Sequence, residues 1–516
     1  MRLVAIAAGL VVALAGPALS QTPNARHSGD AAGLVAAGER LLKASDLAGA
    51  EAQFRQAIDR DPTLASAHYG LGLVLEARKD LDGAARELSA AISSAPAMAK
   101  AYDRYGFVLG QQGRMDDAVT QFRRATALEP TLFDAQYHLG VTEFLRRDYD
   151  AALPSLRAAV AIQPRHAEAH YYLGAVLRGQ GHLDQAIEEL TTATRLNPRL
   201  AVAFTRLGIT LRERGKPDAA IDVLKKAIEL DPANFDPQNA LGLAYMQRGD
   251  AELAVSTFQS LVGAHPDNRM GRLNLGTALL QKADLAAAVS VLQSLVHDEP
   301  AYAEAFYNLG TALKQQDDFE GAERALREAV RLGPDLADAH YTLGVVLWQT
   351  RRLPDAVEEF RAALAAKPGY AQAHYMLGTV LRQLGKQDEA LAEFRTTIQI
   401  EPQSPEAYLS IGQILQRQQD TAGATAAFAE AERLNAIKSN QQASIFALSV
   451  GRKRMNEHDL DGALSQFREA VRLDPSSAPA QHALADALTQ KGETAEARQH
   501  LEAARRLEAP AAPREP

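Results

Sequence analysis

The chain has 516 residues, no cysteine, and a formal charge of −9 with a pI near 5.9. The missing cysteine excludes disulfides, thiolate metal sites and a lipidated N-terminal cysteine. Basic residues number 55 against 64 acidic ones, with both signs interspersed, so there is no basic stripe of the kind nucleic acid requires.

The first element is an export signal. Arg2 precedes an apolar run, Leu3 to Ala15, which leads into Gly16-Pro17 and the small-residue site Ala18-Leu19-Ser20. That order predicts a signal peptide over 1–20, cut after Ser20. The run is shorter than the roughly 20 residues that span a bilayer, with a retained anchor as the alternative to cleavage. A periplasmic or secreted chain follows, without a transmembrane segment in its mature form. Residues 21–30 read as a linker.

From residue 31 the chain repeats. Eleven prolines, from Pro62, Pro96 and Pro130 to Pro368 and Pro402, stand 34 residues apart. Glycine follows each by ten residues (Gly72, Gly106, Gly140 and onward to Gly412), and alanine precedes each by twelve, from Ala50 to Ala390. With proline as position 32, twelve contiguous units cover 31–438. Each carries two helical patterns. In the first, positions 4, 7, 8 and 11 form one stripe, as in Phe306, Leu309, Gly310 and Leu313; in the second, Ala at 20 and a large apolar residue at 24 do the same, as in Ala356 and Phe360. Proline stops the second helix. One such pair leaves apolar surface exposed, and stacked copies bury it.

The pattern Leu-Gly-x-x-Leu, Ala-x-x-x-Phe and Pro resembles the tetratricopeptide repeat. Clear copies are 303–336 (Phe306, Leu309, Gly310, Ala322, Pro334) and 371–404 (His374, Leu377, Gly378, Ala390, Phe394, Pro402). The resemblance implies an all-α fold, a right-handed α-solenoid of about fourteen repeats with a concave groove lined by the first helices. Position 11 of the fourth unit is Glu143 where leucine is usual, predicting relaxed packing there. In the twelfth unit Ala436 replaces proline, and an insertion at 439–443 follows, predicting a longer helix or a hinge. Two further units occupy 444–511, the last a polar C-terminal cap with Arg505, Arg506 and Glu508, and 512–516 reads as a disordered tail.

No catalytic signature survives inspection. Gly208 to Lys216 and Gly378 to Lys386 lack the Gly-Lys-Ser/Thr of a phosphate loop. His166 and His170 are four apart, but His170 shares packing position 4 with His68, His340 and His374, so a metal site is not expected. No stretch outside the repeats is long enough for an enzyme domain. The chain is read as a non-enzyme without metal or cofactor.

Positions 2, 5, 6, 9, 12 and 13 of each first helix face away from the packed stripe. Position 5 is tyrosine in Tyr137, Tyr171, Tyr307, Tyr341 and Tyr375, as it is in Tyr69; position 13 is glutamine in Gln247, Gln281, Gln315, Gln349 and Gln383. Asn274 and Asn308 hold position 6, and Trp348, the single tryptophan, holds position 12. Tyrosine presents a large apolar face, and glutamine presents a donor and an acceptor, which suits a polypeptide laid along the groove. The tyrosines as framework and the glutamines as solvated filler are the competing reading. Chaperone-binding members grip a C-terminal carboxylate with Lys at position 5 and Asn at position 9; neither occurs here. The expected function is a protein- or peptide-binding scaffold serving assembly of a cell-envelope complex. The alternatives are a polysaccharide receptor using Trp348 and the tyrosines, or an accessory subunit of an envelope enzyme.

Overall fold

A computed structural model describes residues 27–508 of the chain. The expected signal at 1–20 and the tail at 512–516 lie outside the described residues. Among those residues the regular elements are 27 α-helices, and there is no strand. The stretch expected as a linker is helical from His27, where the first helix, His27–Lys43, begins. The described residues form an all-α solenoid architecture of stacked helix pairs, divided into two compact units, one ending at Lys282 and the other starting at Ala283.

Proline acts through its neighbour. The residue before a proline is barred from the α region by the pyrrolidine ring, and position 31 is accordingly extended: φ −139° and ψ 91° at Asp61, φ −136° and ψ 81° at Ala95. The second helix therefore stops at position 30. The amide of position 34 then bonds back to the carbonyl of position 31, as in Leu64 to Asp61 at 3.1 Å, and the next helix starts at once.

The turn inside each repeat has its own device. Position 15 lies in the left-handed region, at φ 66° in Lys79 and φ 80° in Gly113, a conformation that costs an L-residue energy and glycine almost none. An aspartate often follows as N-cap: Asp80 accepts from the Gly83 amide and Asp318 from the Gly321 amide, both at 2.9 Å. Glycine at position 8 permits the close crossing of the two helices. A Cβ on Gly140 would lie 2.5 Å from Leu156 Cγ, and one on Gly344 would lie 2.8 Å from the Phe360 ring.

The twelfth repeat shows what the proline does by lacking it. With Ala436 in its place the second helix does not stop, and one helix runs from Thr421 to Asn456, straight through 439–443. Of the two expectations for that segment, the longer helix is what forms. Its outer surface is uncovered: Phe446 is 71% and Ile445 67% exposed, and Phe428 is only partly buried although Phe360 and Phe394 at the same position are at 0%. No helix among the described residues is both long and apolar enough to cross a membrane.

Glu143 corrects the expectation of loose packing. Its side chain is 2% exposed and accepts from Arg123 on the preceding second helix at 2.8 Å. Burial pushes its carboxyl above the usual carboxylate range, with the guanidinium opposing, and its Oε2 has no partner. Position-4 histidines are likewise structural. Each spans two repeats, Nδ1 meeting a glutamate of its own second helix and Nε2 the carbonyl of the preceding proline. His170 does so with Glu189 at 2.6 Å and Pro164 at 3.1 Å, and His340 with Glu359 at 2.7 Å and Pro334 at 3.2 Å. Gln136 reaches the Pro130 carbonyl at 3.0 Å in the same way.

Two outcomes follow from these groups. A buried carboxylate with a half-satisfied charge is commonly less favourable than an apolar residue. Glu143→Leu should therefore raise stability by about 1 to 3 kcal/mol near neutral pH, read as a higher thermal midpoint. Bonds to Glu189 and Glu359 raise the pKa of His170 and His340. A raised folded-state pKa contributes stability that is complete below the unfolded value and disappears as pH rises through the folded one. Thermal midpoints should accordingly fall as pH rises above the ordinary histidine range. The H170Q/H340Q double variant keeps the carbonyl bond and should show a shallower fall.

Candidate functional site

The inner surface of each unit is formed by positions 5, 6, 9, 12 and 13 of the first helices. Side chains one repeat plus one residue apart meet there. In the first unit His138 Nδ1 lies 2.8 Å from Asp103 Oδ1, with both side chains buried, and Asn274 donates to Asn239 at 2.7 Å. Tyr172 sets its ring edge-on to Tyr137 at 5.9 Å, and the Arg104 guanidinium stands beside the Tyr69 hydroxyl, opposing the rise that burial gives its pKa. In the second unit Thr342 stands beside Tyr307, its hydroxyl donating to the Asp338 carbonyl at 2.8 Å. All of these join position 6 to position 5 of the preceding repeat.

A second row joins positions 12 and 13 at the same 35-residue offset. Arg178 forks onto Glu213 at 2.8 and 2.5 Å, and Gln281 donates to the Met246 carbonyl at 2.9 Å. In the second unit Trp348 Nε1 donates to Gln383 Oε1 at 3.2 Å.

Most residues singled out from the sequence take part in these rows or in the framework beneath them. Tyr137 stacks on Phe133 at 5.6 Å, and Tyr171 meets Tyr172 at 4.9 Å. Tyr341 packs against Phe360 at 5.8 Å and Tyr370 at 5.1 Å; Tyr375 packs against Phe394 at 5.5 Å. Burial raises the pKa of Tyr137 and Tyr341, and pushes those of Tyr69 and Tyr172 up to about 12, so the phenols stay protonated. Asn308 is partly buried, whereas Gln247, Gln315 and Gln349 are exposed. Asn274, Gln247 and Gln281 belong to the first unit, and the ladder from Tyr307 onward belongs to the second.

Between the two rows runs position 9, which sequence reasoning did not single out. In the first unit it reads Glu39, then Leu73, Phe107, Val141, Ala175, Ile209 and Leu243, apolar in six successive repeats, and then Thr277; Val141 and Ala175 are buried and the other apolar members partly buried. Phe144 and Tyr172, 5.6 Å apart and edge-on, lie alongside it. In the second unit the same position reads Thr311, Val345, Thr379 and Gln413, and the two threonines bond carbonyls of their own helix. The first unit thus offers an apolar, aromatic floor, and the second a polar one. Among the described residues no group of three or more His, Asp or Glu side chains is spaced to hold a metal ion.

Coupling across the first row can be measured. Asp103→Ala, His138→Ala and their double variant, compared in urea unfolding, should give an interaction energy of about 1 to 3 kcal/mol, because buried partners in one hydrogen bond do not contribute additively. Additive losses would show that the two side chains act separately.

The family described as Tetratricopeptide repeat matches residues 35–99, 108–165, 239–305, 273–322 and 307–371, and in a second form residues 143–203 and 455–513. The family described as TPR repeat matches 208–249 and 378–419. No curated protein matches the chain. Solved structures similar to it include YrrB, described as a TPR protein with an unusual peptide-binding site, at 26% identity over 36% of this chain and 96% of that one, TM-score 0.34. PilF of Pseudomonas aeruginosa is 19% identical over 41% of this chain and 96% of its own, TM-score 0.38. The Cut9–Hcn1 assembly is 14% identical over 89% and 96%, TM-score 0.34.

Proposed function

The chain belongs to the tetratricopeptide repeat family, and from that premise we propose that it is a non-catalytic scaffold seating polypeptide partners on the inner faces of its first helices. The observation that carries this reading is the apolar position-9 strip of the first unit, Leu73 to Leu243, lying between two rows of side chains already engaged with one another. Burying one leucine or phenylalanine of a partner on such a floor contributes about 1.5 to 3 kcal/mol. A few contacts of that size, at one per repeat, are enough for specific binding. Gln247, Gln315 and Gln349 add exposed donors and acceptors for a partner's backbone.

The polysaccharide alternative draws less support, because Trp348 already directs its indole N–H to Gln383. Service in the cell envelope rests on the export pattern Arg2 to Ser20 and belongs to the same proposal.

Cross-linking of the protein in its native cells, followed by mass spectrometry, should recover a discrete protein partner. The F107S/I209S double variant, which replaces two residues of the floor and no member of either row, should reduce that recovery roughly tenfold or more with unchanged helicity. Recovery unaffected by the double variant would overturn the reading. So would oligosaccharide binding that quenches Trp348 with no protein cross-linked.

A further inference from the structure

One carboxylate on the inner face of the first unit is left without a hydrogen bond. Glu76, at position 12 of the second repeat, has a side chain only 15% exposed, and its closest ionic partner, Arg104 Nη1, is 3.6 Å away, beyond hydrogen-bond length. On the same face Asp103 is bonded to His138 at 2.8 Å and Glu213 to Arg178 at 2.8 and 2.5 Å.

Arg104 is also committed elsewhere. It lies over the Phe107 ring, 5.4 Å from its centre, and beside the Tyr69 hydroxyl. The cluster therefore holds two carboxylates, Glu76 and Asp103, with the Arg104 guanidinium, the His138 imidazole and Lys79 around them. Burial holds the Glu76 carboxyl above its usual range although Arg104, His138 and Lys79 oppose the shift. A group in that condition gains most from a cation that brings its own hydrogen-bond donors into a partly desolvated site.

We propose that Glu76 is the subsite for a lysine or arginine side chain of the polypeptide seated on the first unit, whose neighbouring apolar residues rest on Leu73 and Phe107. Those two residues share the floor of the groove with Glu76: Leu73 is one turn away on the same helix, and Phe107 is the position-9 residue of the next repeat. The stem of a lysine or arginine has the apolar length to lie along them while its charged end reaches the carboxylate. The inference rests on the scaffold reading and adds the chemistry of the partner.

The test is an array of short peptides of random sequence, probed with the full-length protein, with its Glu76→Gln variant and with F107S. Wild type should retain peptides enriched in Lys or Arg beside Leu, Ile or Phe. Glu76→Gln, which keeps the shape of the side chain, should lose the basic preference by roughly tenfold in affinity while keeping the apolar one, and Glu76→Lys should turn the preference toward Asp and Glu. Equal thermal midpoints for wild type and Glu76→Gln separate this effect from misfolding. Peptides selected without a basic preference, or a basic preference untouched by Glu76→Gln, would overturn the subsite. Basic peptides bound equally well by F107S would leave the subsite standing and remove the apolar floor from the scaffold reading. An array that retains no peptide would remove both.

Discussion

The solenoid depends on a steric exclusion one residue wide. A proline at position 32 excludes its predecessor from the helical region, and the chain must leave the helix at the same place in each repeat. Asp61 and Ala95 show the result in their extended φ and ψ. Because the stop is always in register, each first helix meets the preceding one with the same offset. Contacts 35 residues apart follow from that, among them Asp103 with His138 and Arg178 with Glu213. Packing at glycine 8 then sets the depth of each crossing. Remove the stop, as at Ala436, and the helix continues to Asn456.

Much of this is legible in the residues themselves, because proline, glycine and alanine each do one job for which few substitutes exist. Their period locates the helices and the core, including Ala84, Leu88 and Phe360, all at 0% exposure. What stays hidden is carried by positions whose chemistry changes from repeat to repeat. The left-handed residue at position 15 is glycine at Gly113 and Gly181 but lysine at Lys79 and arginine at Arg147, so no glycine period marks it. The rows of the inner face pair Asp with His, Arg with Tyr, Asn with Asn and Tyr with Tyr. Only the spacing of the partners is constant, and a column-by-column reading sees it as variation. The tyrosine and glutamine columns were visible because they are uniform, and several of their members turn out to fasten one repeat to the next. The division between Lys282 and Ala283 has no local mark either, since Pro266 and Pro300 keep the period on both sides.

The end of the twelve-repeat stretch is written twice. Position 28 of the second helix is aliphatic or threonine in the first eleven repeats, from Ile58 and Ile92 to Leu364 and Ile398, and again Val471 in the thirteenth. It is Glu432 in the twelfth and Arg505 in the fourteenth, both exposed. A charge at that position is tolerable where no following repeat packs on the helix, which is the condition at a chain end and also where the long helix carries the chain away. Position 3 gives the complementary sign. It is alanine at 0% exposure in Ala67, Ala101 and Ala135, under the preceding second helix, but Phe446 in the thirteenth repeat, where it is 71% exposed. A phenylalanine there would not fit beneath a helix at the usual spacing. The joint at 439–443 is therefore an intended end of stacking, encoded by residue size and charge as well as by the lost proline.

The inner face divides its labour in a way that bears on specificity. Positions 5, 6, 12 and 13 are occupied largely with one another, and a change at any of them alters the contact between repeats as well as the surface. Position 9 carries less of that duty, although Phe107 meets the His138 ring at 5.0 Å and Gln413 accepts from Arg382 at 2.6 Å. It can pass from Leu73 and Phe107 in one unit to Thr311 and Thr379 in the other without disturbing the stack, since a threonine there satisfies its hydroxyl on its own helix. The chemistry offered to a partner is thus set mainly by the column that fastening uses least, together with any member of the fastening rows that lacks its partner. Glu76 is such a member: at position 12 it occupies the place where Arg178 has Glu213 and Trp348 has Gln383, and its nearest cation belongs to the other row.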